Sequence, residues 1–445
     1  MNSTATATAT RGGPIPGGHN ADHVEQVYSK VGWRIMPLLF VAYAIAYLDR
    51  INIGYAQLQM KQTLPWEATV YGLGAGIFFV GYFLFEVPSN LMLEKIGARK
   101  TLLRIMFCWG IVAAAMAFVT TPTQFYIARF LLGAFEAGFF PGIILYLTFW
   151  YPSARRGQMI AIFLSATTIM SILAGPLSGA TLKYMNGLYG LHGWQWLFIV
   201  QGLPASMLGI ACYLYLQDKP EHAKWLSANE KKVLRDHLDH DHAPVDGASH
   251  GSFMQSLRDP KVYVLSLAYF FAIGGTYALV FWLPTLVRSW GVADLFMIGI
   301  YTAIPSVFGA IGMILLGRSS DRHSERRWHY VAAAFLAAGG LGFTAMMQGN
   351  LVGSLIGMSI ASIGISSLTP MLFTITSEYL SKAAAAGGIA LISSLGNLGS
   401  AASPVAAGAL TTSTGSPIAT LYMVLVMFIL AGLIVMFAVR PHKGP

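Results

Sequence analysis

The sequence predicts an all-α membrane protein, with twelve transmembrane helices in two pseudo-symmetric six-helix bundles. Three observations carry that expectation. Of 445 residues, 55% are hydrophobic and only 11% charged, and the mean hydropathy is +0.58; a soluble chain carries roughly a quarter charged residues. Apolar runs of about 18 residues or more, long enough to cross a bilayer, recur twelve times. Landmarks of the first half also return in the second at a nearly constant interval. A shift of 227 residues carries Glu94, Lys95, Arg99 and Lys100 to Asp321, Arg322, Arg326 and Arg327. Gly175-Pro176 answers to Ser403-Pro404 at 228, and Pro141 to Pro370 at 229. Such an interval marks two parallel repeats related by an axis along the membrane normal.

In chain order, residues 1–30 open with a Thr/Ala then Gly/Pro-rich stretch that lacks the apolar core of a cleaved signal peptide. They are expected to form a disordered cytoplasmic tail. The first bundle, 31–216, holds spans at about 34–54, 71–93, 101–120, 124–147, 157–182 and 194–216. Residues 217–261 form a polar linker, in which Ser227-Ala-Asn-Glu230 is a capping box opening a short helix through about Leu238. The run from His237 to His242 has metal-ligand residue types, but we read it as a loop that happens to be His-rich, with no metal site. The second bundle, 262–440, holds spans at about 262–287, 295–317, 328–348, 351–377, 384–411 and 417–439, and 441–445 form a second tail.

Lys95, Arg99, Lys100 and Arg104 follow the second span, Arg155 and Arg156 the fourth, and Arg318, Arg322, Arg326 and Arg327 the eighth. The alternate loops offer mainly Lys61, Lys183 and Arg288. By the positive-inside rule both termini are cytoplasmic. The net charge of +9 is therefore spent on topology; it forms no basic stripe on a soluble face, and no nucleic-acid partner is expected. Cys108 and Cys212 both lie in apolar text, so no disulfide framework is expected.

Charges inside the spans point to function. Gln124–Tyr146 could cross the bilayer as one helix and contains Arg129 and Glu136. Seven helical residues return to within about 20° of the starting direction, so the two share a face. A charge at bilayer depth costs ~2.5–3.5 kcal/mol on insertion scales and usually faces a bundle interior or a watery cavity. A second island, Tyr47-Leu-Asp49-Arg50, stands near the end of the first apolar segment. The bland alternative is a pair of structural ion bridges, but desolvation makes these poor glue. Tyr47, Tyr82 and Tyr277 are either cavity hydroxyls or interface aromatics. Asn397, and less strongly Thr374 and Ser394, either meet a substrate or bond across helices. Gly72, Gly74, Gly76 and Gly81 follow no strand, so they mark close helix packing and not a phosphate loop.

These features resemble the major facilitator superfamily. The loop motif Asn90 to Lys100, repeated from Gly317 to Arg327, is similar to that family's best-known signature, with Asn90, Glu94 and Ser324 departing from its pattern. Within the superfamily the chain resembles the anion:cation symporters, the branch holding hexonate, tartrate, phthalate and hydroxyphenylacetate permeases. The residues behind this are Tyr47 to Gly54, Glu86-Val-Pro-Ser-Asn90, Arg129 to Gly142, Ala384 to Gly387 and Ser394 to Gly399. The resemblance extends over roughly residues 25–440.

The resemblance implies that Asp49 and Glu136 carry protons, and that Arg50 and Arg129 hold the substrate carboxylate. It places Tyr47, Tyr82 and Asn397 along the substrate cavity. Where many relatives have Phe-Trp, this chain has Phe373-Thr374. Glu94, Arg99, Asp321 and Arg326 set topology, latch the cytoplasmic side in an outward-open state, or both. The implied activity is proton-coupled import of a small organic anion by a monomer embedded in the lipid bilayer, without a cofactor. An organic-anion exchanger or a Na⁺-coupled carrier on the same fold is the alternative. An enzyme is not expected: the chain has no HExxH, no GxSxG and no paired intramembrane His. A sensor is not expected either, for want of a soluble signalling domain.

Overall fold

The computed structural model describes residues 20–241, 257–380 and 382–439, without the side chains of Glu94 and 382–387. Among these residues, 12 helical spans are long and apolar enough to cross a bilayer. The first half comprises α1 (Ala21–Ile51), α2 (Ile53–Thr63), α3 (Ala68–Ile96), α4 (Ala98–Ala115), α5 (Pro122–Glu136), α6 (Phe139–Thr148), α7 (Ser153–Tyr184) and α8 (Gly193–Tyr215). A linker helix, α9 (Ala228–Asp241), precedes the second half. That half comprises α10 (Pro260–Ser289), α11 (Leu295–His323), α12 (Arg327–Met346), α13 (Leu351–Tyr379), α14 (Lys382–Thr414) and α15 (Ile418–Ala438).

Two spans are broken where the sequence suggested single helices. The first runs from Ala21 to Thr63 and is divided at Asn52. Asp49 and Arg50 therefore stand at mid-span, not near its end. The fourth is interrupted at Ala137-Gly138, directly after Glu136. Gly138 takes φ +83°, the left-handed region that side chains resist, and α6 restarts from it. Irregular backbone at membrane depth survives only where protein or a cavity surrounds it.

The expected tail is also shorter than proposed. Asn20 caps α1 by accepting the Asp22 amide, and Val24, Val27, Tyr28 and Val31 are buried at helical spacing. The first half and the linker both lie against this end of α1, Tyr28 packing on Tyr151 and under Arg155. Lys30 pairs with Glu230 at 2.8 Å, Arg156 with Asp241 at 3.3 Å, and Tyr28 stacks on His237. Trp150 lies parallel to Trp225, with ring centroids 5.8 Å apart. Helix α9 thus docks on the first half, and it extends past Leu238 to Asp241; His242 and the tail 441–445 lie outside the described residues.

Twelve crossings bring both ends of the described chain to one side, called here the linker face; the opposite side is the far face. The halves meet along two seams near the far face. In one, α7 crosses α11 so closely that a Cβ on Gly299 would sit 2.7 Å from the Gly175 carbonyl carbon. In the other, α3 runs against α14, Gly72 on Gly408 and Gly76 on Val405. Gly74 and Gly81 pack inside the first half, on Phe125 and on the α5 backbone. Between the seams Tyr55 bonds Thr302 at 2.9 Å, Gln57 donates to the Phe281 carbonyl at 2.8 Å, and Arg288 to the Leu58 carbonyl at 2.7 Å. Thr69 bonds Thr412 at 2.8 Å, and Lys183 pairs with Asp294. Among the described residues, no hydrogen bond or ion pair joins the halves on the linker side of Arg50. There α3 and α14 separate, leaving Val80, Phe83, Ser394 and Asn397 exposed. The molecule encloses a cleft that is shut at the far face and open at the linker face.

Candidate functional site

The cleft ends at a knot of charges where the two broken spans meet. Arg50, on the last turn of α1, pairs through Nη2 with Glu136, the last residue of α5. Its Nη1 donates to the Tyr277 hydroxyl at 3.2 Å, on α10 of the other half. Phe78 and Tyr82 of α3 flank the guanidinium, their ring centroids 5.7 and 5.5 Å away. The Glu136 side chain is 0% exposed and that of Arg50 15%, so the cation is the member of the pair that the cleft reaches.

This pairing crosses the one suggested by the sequence. Asp49 does not meet Arg50; it is 1% exposed and accepts from Trp109 Nε1 at 2.6 Å and Asn52 Nδ2 at 3.0 Å. Adjacent helix positions are about 100° apart, so neighbours in sequence cannot face each other. Nor does Arg129 pair with Glu136. Fully buried, it donates Nε to the Gly74 carbonyl at 3.1 Å, with the Phe78 ring 5.0 Å away. Its two terminal nitrogens and Glu136 Oε2 have no hydrogen-bond partner among the described residues. Arg129 nonetheless lies within electrostatic reach of both Asp49 and Glu136. A buried donor left unsatisfied costs about 1–3 kcal/mol, more when charged, so a fork of free guanidinium nitrogens beside a bound carboxylate suits an anionic ligand.

Tyr82 and Tyr277 join this centre. Tyr47 lies within electrostatic reach of Arg50 but packs between α1 and α7, with Met170 and Ala174. The Thr374 hydroxyl donates to the Pro370 carbonyl of its own helix at 2.9 Å. Asn397 is exposed where α3 and α14 part. Among the described residues, the loop charges make no bridge between halves. Arg99 donates to the Tyr213 carbonyl of the first half and, through its amide, to Asp218 at the start of the linker. Arg326 pairs with Asp321 at 2.5 Å and Glu378 at 3.3 Å, all in the second. The side chain of Glu94 lies outside the description.

Several members carried little mark in the sequence. Trp109, Phe78 and Phe79 are aromatics in apolar text; Phe79 packs edge-on against Tyr277 at 4.8 Å. Tyr43, stacked on Phe163 at 4.3 Å, did have a signal: with Tyr47 and Arg50 it forms an i, i+4, i+7 stripe.

The sequence profile described as Major Facilitator Superfamily matches residues 39–390 and again 265–445. A protein of Agrobacterium vitis named for tartrate transport is 45% identical over 415 residues, covering 93% of this chain and 92% of that protein. The metabolite transport protein NicT of Pseudomonas putida is 44% identical over 403 residues, covering 90% and 92%. Among solved structures, a bacterial homologue of the human lysosomal transporter Spinster superposes with a TM-score of 0.73. It shares 17% identity and covers 91% of this chain and 96% of that one; at that identity the likeness concerns the fold alone.

Proposed function

The chain belongs to the Major Facilitator Superfamily of multi-pass membrane transporters, and on that premise we propose that it imports a small organic anion together with protons by alternating access. The observation that carries the proposal is Arg50, which holds a buried carboxylate of its own half with one nitrogen and a phenol of the other half with another. A substrate carboxylate arriving at Arg50 competes with Glu136. Protonation of Glu136 removes that competitor, so proton and anion favour each other, and the coupling is reciprocal. Arg129 supplies a second fork behind the first, and Asp49, held by Trp109 and Asn52, is the second candidate proton carrier. The likeness to a protein named for tartrate transport supports a carboxylate cargo.

The arginine-rich loops put the linker face in the cytoplasm, so the described state is open inward, and rocking of one half on the other would expose the site outward. The test is uptake into proteoliposomes under an imposed pH gradient, with radiolabelled hexonates, tartrate, phthalate, nicotinate and hydroxyphenylacetate. One acid accumulates with the gradient, and Glu136→Gln exchanges it without concentrating it. Accumulation that survives a protonophore and requires Na⁺ overturns proton coupling in favour of a Na⁺-coupled carrier. Exchange without accumulation in the parent protein makes it an exchanger.

A further inference from the structure

Glu86 is a third carboxylate inside the spans of the first half, and neither the Arg50–Glu136 pair nor the Asp49 pocket uses it. It stands on α3 one turn beyond Tyr82 and two beyond Phe78, toward the linker face. Those two rings flank Arg50, and Glu86 continues their stripe along the cleft. It is half-buried, makes no hydrogen bond or ion pair among the described residues, and interacts electrostatically with Arg50. A lone carboxylate at that depth is costly and persists where it serves a pathway.

The second observation is register. Helices α3 and α14 are antiparallel, and the contacts of Gly72 with Gly408 and Gly76 with Val405 fix how they align. Continued past the point where the helices part, that alignment sets Glu86 opposite Ser394, exposed in this state.

We infer that Glu86 unloads the transported anion. With the linker side open it stands free, repels the cargo and competes with it for Arg50. When that side closes, the Ser394 hydroxyl donates to Glu86 and withdraws it from the competition. The site therefore binds its anion more weakly inward than outward, whatever the cargo. This rests on the anion transport proposed above.

The test compares the two faces, using radiolabelled tartrate on inside-out and right-side-out vesicles. One charge about a helical turn from a guanidinium changes anion affinity on the order of tenfold at protein-surface dielectric. Glu86→Gln should therefore lower the half-saturating tartrate concentration about tenfold at the linker face and leave the far face unchanged. Glu86→Asp should keep the parent asymmetry, and Ser394→Ala should raise the half-saturating concentration at the far face. An unchanged linker-face value, or equal shifts at both faces, overturns the inference even if Glu86→Gln transports. A parent protein that moves no acid of the panel overturns the transport reading itself, and this inference with it.

Discussion

At the scale of residues, the site depends on which neighbour each charge finds. Asp49 sits in a pocket closed by an indole N–H and an amide, and hydrogen bonds to charged groups are worth ~1.5–3 kcal/mol. Trp109→Phe should therefore lower thermal stability in detergent by about that amount while counterflow exchange through the untouched Arg50–Glu136 pair persists. Arg50 uses two nitrogens of a planar fork at once, which an ammonium cannot imitate. Arg50→Lys should weaken substrate affinity by roughly tenfold or more, read as half-saturation in exchange. Asp49, Arg50, Arg129 and Glu136 were legible as a centre because charges in apolar text have few other reasons to exist. Their partners were not, because sequence adjacency suggested Asp49 with Arg50 and shared helix face suggested Arg129 with Glu136, whereas tertiary packing crosses both. Trp109 and Phe78 were invisible: an aromatic in a spanning helix looks the same whether it faces lipid or a charge.

At the scale of elements, the break after Glu136 matters most. Span length alone fitted one helix, yet Gly138 and Pro141 bracket the restart, with Pro141 in the first turn of α6 where its missing N–H costs nothing. Those two residues were the readable sign. A Cβ at Gly138 would stand 2.5 Å from Ser89 Oγ, and the left-handed backbone adds ~1–2 kcal/mol. Gly138→Ala should therefore lower both stability and exchange rate, measured by thermal unfolding and counterflow. The start of α1 was missed for another reason: Ala21–Lys30 is polar enough to look like tail, and its buried stripe makes sense only once the first half and α9 lie against it. Helix number and order were legible throughout, since bilayer thickness fixes the length of an apolar run.

At the scale of the whole molecule, the far-face seams set the resting state. Lys183, and after it the Met297 amide, hold Asp294 below the ordinary carboxylate range. A lowered folded-state value means the clasp is complete above the usual ~4 and is lost only as pH falls through the depressed one. Mild acidification should leave the far face shut, whereas Asp294→Asn should open it. In a chain lacking Cys108 and Cys212, labelling of a cysteine placed at Gln57 reports this from the far side. Gly175→Leu, which forces a side chain between α7 and α11, should increase that labelling further. The position of these glycine crossings has a mechanical consequence. From Gly299 to His323 helix α11 extends about 36 Å, so a swing of roughly ten degrees about the crossing carries its tip about 6 Å. The fulcrum lies at one end of a long arm. Bulk added there should slow the stroke for every cargo alike, while charge changes at the tip should bias how long the arm dwells at either end of its arc and leave the chemistry at Arg50 untouched.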